Sequence, residues 1–224
     1  MSLTIILGEC GLELIPHSIR KHPSVRRSLT MKNYSSQLLD NALHHSAMSS
    51  LKNKMKRGRP DILHLCLLNA LGTSLNKLKK LNLFFHTINN RIFKVNPNIR
   101  ITKNYNRFKG LMAKLLIDNK IQIDDVGLIT PINKNLNELV SKYEDLNTLI
   151  LSRKGKLIGS YKDLFKSDKS INYLLLIGAF QKSTFSKKIL DISDNLISIS
   201  ENSLHSWIVV NKAITYYEII NNIL

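Results

Sequence analysis

The sequence predicts an α/β fold with a largely parallel sheet. Apolar, strand-like runs recur along the chain, helical or loop segments separate them, and a long apolar helical stretch closes it. Strands dispersed among helices need crossover connections, and those favour parallel pairing. A chain of 224 residues that is 43% hydrophobic can bury a substantial core, and its length suits one large domain or two small ones.

Ser2 to Leu7 (SLTIIL) reads as a buried first strand, with Gly8 and Gly11 turning the chain after it. Residues 17–59 are rich in His and Arg, include the pair Arg26 and Arg27 and a polar stretch from Ser35 to Ser50, and read as a helix plus loops, part of it mobile. From Pro60 the spacing of Ile62, Leu63, Leu67 and Leu71 predicts a helix that stops at Gly72. Leu81–Thr87 and Arg91–Val95 predict a hairpin turning at Asn89-Asn90. A loop punctuated by Pro97 then leads to an amphipathic helix carrying Phe108, Leu111, Met112, Leu115 and Leu116 on one face. Val126–Ile129, Leu149–Ser152, Tyr173–Phe180 and Leu196–Ser200 are further strand candidates. Leu204–Leu224 predicts a helix apolar over most of its surface, hence buried against the sheet or a second subunit. There is no internal repeat and no low-complexity tract.

No apolar run approaches the ~20 residues of a membrane span, and no basic leader precedes the first apolar run, so a cytoplasmic protein with no membrane partner is expected. Cys10 and Cys66 sit in apolar settings and read as reduced structural thiols. The histidines show no metal-ligand spacing with them, so no metal site is expected.

The chain carries 33 Lys and Arg against 16 Asp and Glu, a formal net charge of +17. Residues 1–120 hold 21 basic and 5 acidic residues, 21 − 5 = +16, while residues 121–224 hold 12 and 11, 12 − 11 = +1. A one-sided field of this kind fits binding to a phosphate backbone better than mere solubility. Basic residues of the first half interleave with aromatics over Arg91–Lys109; Phe93 and Phe108 read as core, and Tyr105 as the better candidate for stacking on a base.

In parallel α/β sheets ligands bind beyond the carboxyl ends of the strands. LILSRKGK (149–156), LLLIGAF (174–180) and NLISISENSLHSW (195–207) each run from a strand into a Gly- or Ser-bearing loop there. No GxGxxG or Walker lysine motif accompanies them, so a nucleotide here would not occupy an ordinary dinucleotide or P-loop site. In KRGRPDILHL, Asp61 follows three cations at a helix start and reads as a cap, an ion-pair partner or a proton-handling group.

RPDILHLCLLNALGTSLNK, VNPNIRITKNYNRFKGLMAKLL, IGAF and SISENSLHSWIVVNKAITYYE occur in the order and approximate spacing of a known family. The chain resembles, over most of its length, the SPOUT-class pseudouridine N1-methyltransferases of small-subunit ribosome biogenesis, the nucleolar essential protein or essential-for-mitotic-growth family, in its short archaeal form. The resemblance implies a parallel sheet with a deep C-terminal trefoil knot, a homodimer, S-adenosyl-L-methionine held in the knot, and methylation of N1 of a pseudouridine in small-subunit rRNA. It implies one methyltransferase domain over 1–224, with 17–120 as the basic RNA-binding portion and 121–224 as the knot and cofactor portion.

Carried over by motif, Leu151, Ser152, Gly178, Ala179, Phe180, Ser183 and the run Ile199, Ser200, Glu201, Asn202, Ser203 and Leu204 fall on cofactor-contacting loops. Arg59, Asp61, Arg100, Lys103 and Arg107 fall on RNA-contacting positions. The chain departs from the family at Gln181-Lys182-Ser183, where His-Gly-Lys is frequent, at Glu201-Asn202-Ser203-Leu204, where Asn-Tyr-Pro-Leu is frequent, and at Lys103, where Arg is common. Asp61 is the candidate base or base-orienting group; its basic neighbours would make it a poorer base, which favours positioning. Two alternatives stay open: a ribosome-assembly RNA-binding protein with weak or lost methyl transfer, and a ribose 2′-O-methyltransferase on the same fold.

Overall fold

The computed structural model describes residues 2–28, 37–143, 146–166, 168 and 170–223. Among them the strands are β1 (Leu3–Cys10), β2 (Leu81–Thr87), β3 (Ile92–Val95), β4 (Ile121–Ile123), β5 (Val126–Ile132), β6 (Leu146–Leu157), β7 (Asn172–Gly178) and β8 (Leu196–Ser198). The helices are α1 (Pro23–Ser28), α2 (Asn41–His44), α3 (Pro60–Gly72), α4 (Ser74–Lys77), α5 (Tyr105–Asp118), α6 (Leu136–Ser141), α7 (Lys187–Leu190) and α8 (Ser206–Ile220), with short 3₁₀ turns such as Lys54–Lys56 between them.

The strands form one sheet in the order β4-β5-β3-β2-β1-β7-β6-β8. From β2 to β8 all pairings are parallel, whereas β3, β5 and β4 extend the sheet as an antiparallel wing. The largely parallel sheet is therefore a mixed one, and the wing is built by tight turns. Asn90 takes φ 59° in the β2–β3 turn, and Asp124 and Asp125 take φ 45° and 63° between β4 and β5. Asn and Asp tolerate this left-handed conformation, and the β4–β5 turn is a two-residue hairpin of that kind.

All residues of the central strand β1 are buried, as a parallel strand covered on both faces requires. It does not stop at Leu7: it continues to Cys10 through a register shift, with Glu9 in the left-handed region at φ 51°. Alternate residues feed opposite layers. Leu3, Ile5, Leu7, Leu83, Phe85, Leu175 and Ile177 pack under α3, α5 and α8, together with Phe93 and Phe108. Ile6, Phe84, Ile150, Leu174 and Leu176 pack under α6 and α7. A third cluster, including Ile19, Val25, Leu39 and Met48, holds the segment between β1 and α3 together. Ser35 and Ser36 of the predicted polar stretch lie outside the described residues.

α3 spans the predicted Pro60–Gly72, with Pro60 in the first turn, where its missing N–H leaves no bond unmade. α5 starts under an Asn104 cap whose side chain accepts from the Arg107 N–H, and it ends at Asn119 at φ 61°. α8 starts two residues later than predicted and ends at Ile220; Leu224 lies outside the described residues. It buries Val210, Ala213, Ile214 and Tyr217 as a stripe while Ile208 and Ile219 face out.

Candidate cofactor pocket and basic face

A cavity of about 320 Å³ opens at the carboxyl ends of β7 and β8 and at the bulge of β6 that follows Leu151. Its walls are the bulge of β6 at 151–154, the ends of β7 and β8 with the loops after them, and Ser206 and Val209 of α8. Leu151, Ser152, Gly178, Phe180, Ser183, Ile199, Ser200, Asn202, Ser203 and Leu204 all line it. Ala179 does not: it is fully buried, and its N–H donates to the Gly8 carbonyl at 2.9 Å, which ties the end of β7 to β1. Glu201 is exposed and also lies outside the lining.

Local chemistry shapes these loops. A Cβ on Gly178 would come within 2.8 Å of the Phe180 ring, so glycine lets Phe180 fold back over the strand end. Phe180 meets Phe185 edge to face at 5.6 Å, and both form an apolar wall. β6 loops out after Leu151: Leu151 and Lys156 both register with Ile197 of β8. Gly155 makes that loop possible, because a Cβ there would stand 2.5 Å from the Ile197 nitrogen. Ser198 Oγ donates to the Ser200 carbonyl at 2.8 Å, and the Asn202 N–H donates to Ser200 Oγ at 3.1 Å, folding the last loop back on itself.

The cavity therefore offers aromatic and aliphatic walls beside backbone polar groups of turning loops, and its size is that of a small-ligand site. Its described lining includes the cations Arg153, Lys154 and Lys182 and no carboxylate. These cations lie in the half that is neutral on balance, which is why a tally by halves missed them. The walls suit a small molecule with apolar faces and polar edges. Leu151, Phe180, Ile199 and Leu204 would hold the apolar faces of such a molecule, and the loop backbone its polar edges.

The basic half reaches this cavity through Lys56, whose ammonium lies 5.1 Å from the Phe180 ring centroid. Asp61 is engaged by Arg59 through a two-pronged ion pair, Nε to Oδ1 at 2.8 Å and Nη2 to Oδ2 at 2.6 Å. The carboxylate hydrogen bond holds the Arg59 guanidinium pKa above its ordinary value. No side chain caps α3, so of the readings open for Asp61 the structure realises the ion pair and not the cap. Arg100, Lys103 and Arg107 are exposed just before and at the start of α5, and none is in an ion pair among the described residues. Tyr105 differs from its sequence reading. It opens α5 rather than preceding it, is half-buried, and its hydroxyl donates to Asp40 Oδ2 at 3.2 Å beneath Lys109, so its ring is committed to the fold.

His64 on α3 stacks on Phe108 at 4.3 Å and bonds the Thr102 carbonyl at 2.7 Å, which pins the Arg100–Arg107 segment to the helix carrying Asp61. Sequence reasoning missed Glu9 and Lys56, a buried ion pair at 2.7 Å whose ammonium lies 5.1 Å from the Phe180 ring centroid. Their separation in the chain leaves no local pattern to read. Cys10 and Cys66 are buried free thiols, and burial pushes both pKa values up, away from reactive thiolate.

Comparison with known proteins finds relatives over nearly the whole chain. The model of the EMG1/NEP1 methyltransferase family matches residues 5–218. The chain is 39% identical over 225 aligned positions to the ribosomal RNA small subunit methyltransferase Nep1 of Staphylothermus marinus, covering 99% of this chain and 97% of that one. It is 43% identical to the Nep1 of Saccharolobus solfataricus over 89% of each chain. The crystal structure of Archaeoglobus fulgidus Nep1 bound to S-adenosylhomocysteine superposes with a TM-score of 0.88 at 34% identity, covering 99% of this chain and 100% of that one.

Proposed function

The chain belongs to the EMG1/NEP1 methyltransferase family, and on that premise we propose that it methylates N1 of a pseudouridine in small-subunit rRNA, with S-adenosylmethionine as donor, during small-subunit biogenesis. The observation that carries this reading is the cavity between parallel strands β6, β7 and β8, lined by Leu151, Gly178, Phe180 and Leu204 and approached from the basic half by Lys56, whose ammonium lies 5.1 Å from the Phe180 ring centroid.

Pseudouridine is joined to its ribose through carbon and so keeps a free N1–H. S-adenosylmethionine, when bound, would supply a sulfonium methyl group whose C–S bond breaks to release a neutral thioether. What remains for the protein is to bring N1 in line with that methyl and to let the proton leave to water, so positioning provides much of the acceleration. Arg59, Arg100, Lys103 and Arg107 would fix phosphates flanking a flipped base, and Asp61 would hold Arg59 in register with its edge.

The same reading takes 1–224 as one methyltransferase domain, with 17–120 giving most of the RNA face and 121–224 the cofactor site, in a cytoplasmic homodimer. The close passage of Gly155 against Leu196 and Ile197 supports a C-terminal segment threaded as a knot. The outward Ile208 and Ile219 of α8 support an apolar contact with a second copy.

Mass spectrometry of one rRNA stem-loop, prepared with uridine or pseudouridine at the target and incubated with S-adenosylmethionine, tests the assignment. The expected product is a single methyl on the pseudouridine base, with the uridine RNA unchanged. Equal turnover of both RNAs, or a methyl on ribose, would refute N1 transfer. Calorimetry that finds no S-adenosylmethionine binding at millimolar concentration would leave only an RNA-binding role.

A further inference from the structure

Glu9, next to last in β1, takes a conformation that residues with a side chain seldom adopt, φ 51°, and is 6% exposed. A buried carboxylate at a strained strand end is retained only where its surroundings compensate it. Here Oε2 accepts from the Lys56 ammonium at 2.7 Å and from the Ser186 backbone N–H at 3.2 Å. Lys56 is 8% exposed, and its ammonium lies 5.1 Å from the centroid of the Phe180 ring, which packs against Phe185 in the cavity wall. The Lys182 N–H reaches the Met55 carbonyl at 3.5 Å, and the Arg59 N–H donates to the Gly11 carbonyl at 3.0 Å. Both ends of the 180–186 loop are thus fastened to the strand and segment that lead directly into the Arg59–Asp61 ion pair.

We propose that Glu9 and Lys56 form a positioning pair that couples occupancy of the S-adenosyl pocket to RNA binding at Arg59 and Asp61. This rests on the function proposed above. A ligand seated against Phe180 favours one placement of the 180–186 loop, and that placement fixes the ammonium of Lys56 and with it the backbone of residues 56–59. Because coupling between two binding sites is reciprocal, RNA held at Arg59 tightens the pocket by the same factor. Glu9 and Lys56 touch neither ligand in this account; they act through Phe180, Ser186 and the chain that carries Arg59.

The test measures S-adenosylhomocysteine affinity by calorimetry, and stem-loop RNA affinity by fluorescence anisotropy with and without saturating S-adenosylhomocysteine. The proteins are wild type, Lys56→Met and the double variant Glu9→Gln/Lys56→Met, which removes both charges while keeping the shape of Glu9 and all but the terminal atom's length of Lys56. Wild type should bind RNA about fivefold to tenfold more tightly when S-adenosylhomocysteine is present. The double variant should keep the wild-type melting temperature but weaken S-adenosylhomocysteine binding several-fold and bring the RNA affinity ratio close to one. A ratio of one already in wild type, or a double variant with the wild-type ratio, overturns the positioning role. Loss of coupling only in Lys56→Met, together with a lowered melting temperature, also overturns it, since an unpaired buried carboxylate then accounts for the result. Wild type that binds no S-adenosylhomocysteine overturns the underlying function instead.

Discussion

Asp61 and Arg59 show how much one pair of atoms can decide. The side chains are 34% and 21% exposed, so the two-pronged contact is only partly screened and orients the guanidinium more than it stabilises the fold. Asp61→Asn loses one prong and the charge, and Arg59 should swing free of its register. RNA affinity is expected to fall about tenfold, as for loss of a charged hydrogen bond of about 1.5 kcal/mol, with at most an equal effect on the single-turnover rate at saturating RNA. A thousandfold rate loss with unchanged binding would make Asp61 a base.

Two buried histidines carry a separate prediction. His86 Nδ1 accepts from the Glu9 N–H at 3.4 Å while Nε2 faces Asn90 Oδ1, and His44 Nδ1 accepts from the Asp40 N–H at 3.0 Å while Nε2 faces Ser28 Oγ. A ring that accepts at Nδ1 and donates at Nε2 is neutral. Burial lowers both pKa values from 6.5. The unfolded chain therefore binds these protons before the folded one, so their stabilisation is complete above pH 6.5 and is lost as pH falls from there toward the folded values. Urea titrations should show stability declining below pH 6.5 by at most about 1.4 kcal/mol per pH unit for each ring. His86→Asn and His44→Asn, read separately, should each flatten that decline.

At the scale of elements, what was legible followed local chemistry. α3, the β2–β3 hairpin and α5 all have caps, turn residues or periodic apolar faces within their own span, and the loops after β7 and β8 could be placed because parallel strands put ligand sites at their carboxyl ends. The β4–β5 hairpin escaped because β4 is three residues long and its turn, Asp124-Asp125, lacks glycine. The extent of β6 escaped because its loop at 152–155 reads as a strand end, whereas its far side returns to pair with β8. Arg153 and Lys154 lie in that loop, so misreading it hid part of the site. Gly155 is the residue on which the crossing depends. Gly155→Ala would press a methyl into the backbone of Leu196 and Ile197 at 2.5 Å, where no side chain can move aside. The expected loss is about 3 kcal/mol on denaturant unfolding, with weaker S-adenosylhomocysteine binding. A variant as stable as wild type would mean that the β6 loop and β8 separate freely.

For the molecule as a whole, the net charge matters less than where its acids are spent. Within residues 1–120, Glu9, Glu13, Asp40 and Asp61 are each held in an ion pair, with Lys56, Arg57, Lys109 and Arg59 respectively. Three of these acids, Glu9, Glu13 and Asp40, are buried, so the outward surface of this half is left almost wholly to cations such as Arg100, Lys103 and Arg107. Cations that are free in the folded chain can release counterions from RNA; cations already paired inside the fold contribute to stability instead. The logarithm of RNA affinity should therefore fall linearly with the logarithm of salt concentration, by about 0.7 for each phosphate contacted on a single strand. Arg100→Ala/Arg107→Ala removes two free cations and should reduce that slope by about 1.4. Arg57→Ala removes a cation bound by Glu13 at 2.6 Å and should lower the melting temperature while leaving the slope unchanged. If the double variant keeps the wild-type slope, the phosphates rest on other cations, and Arg153, Lys154 and Lys182 at the cavity mouth become the positions to replace next.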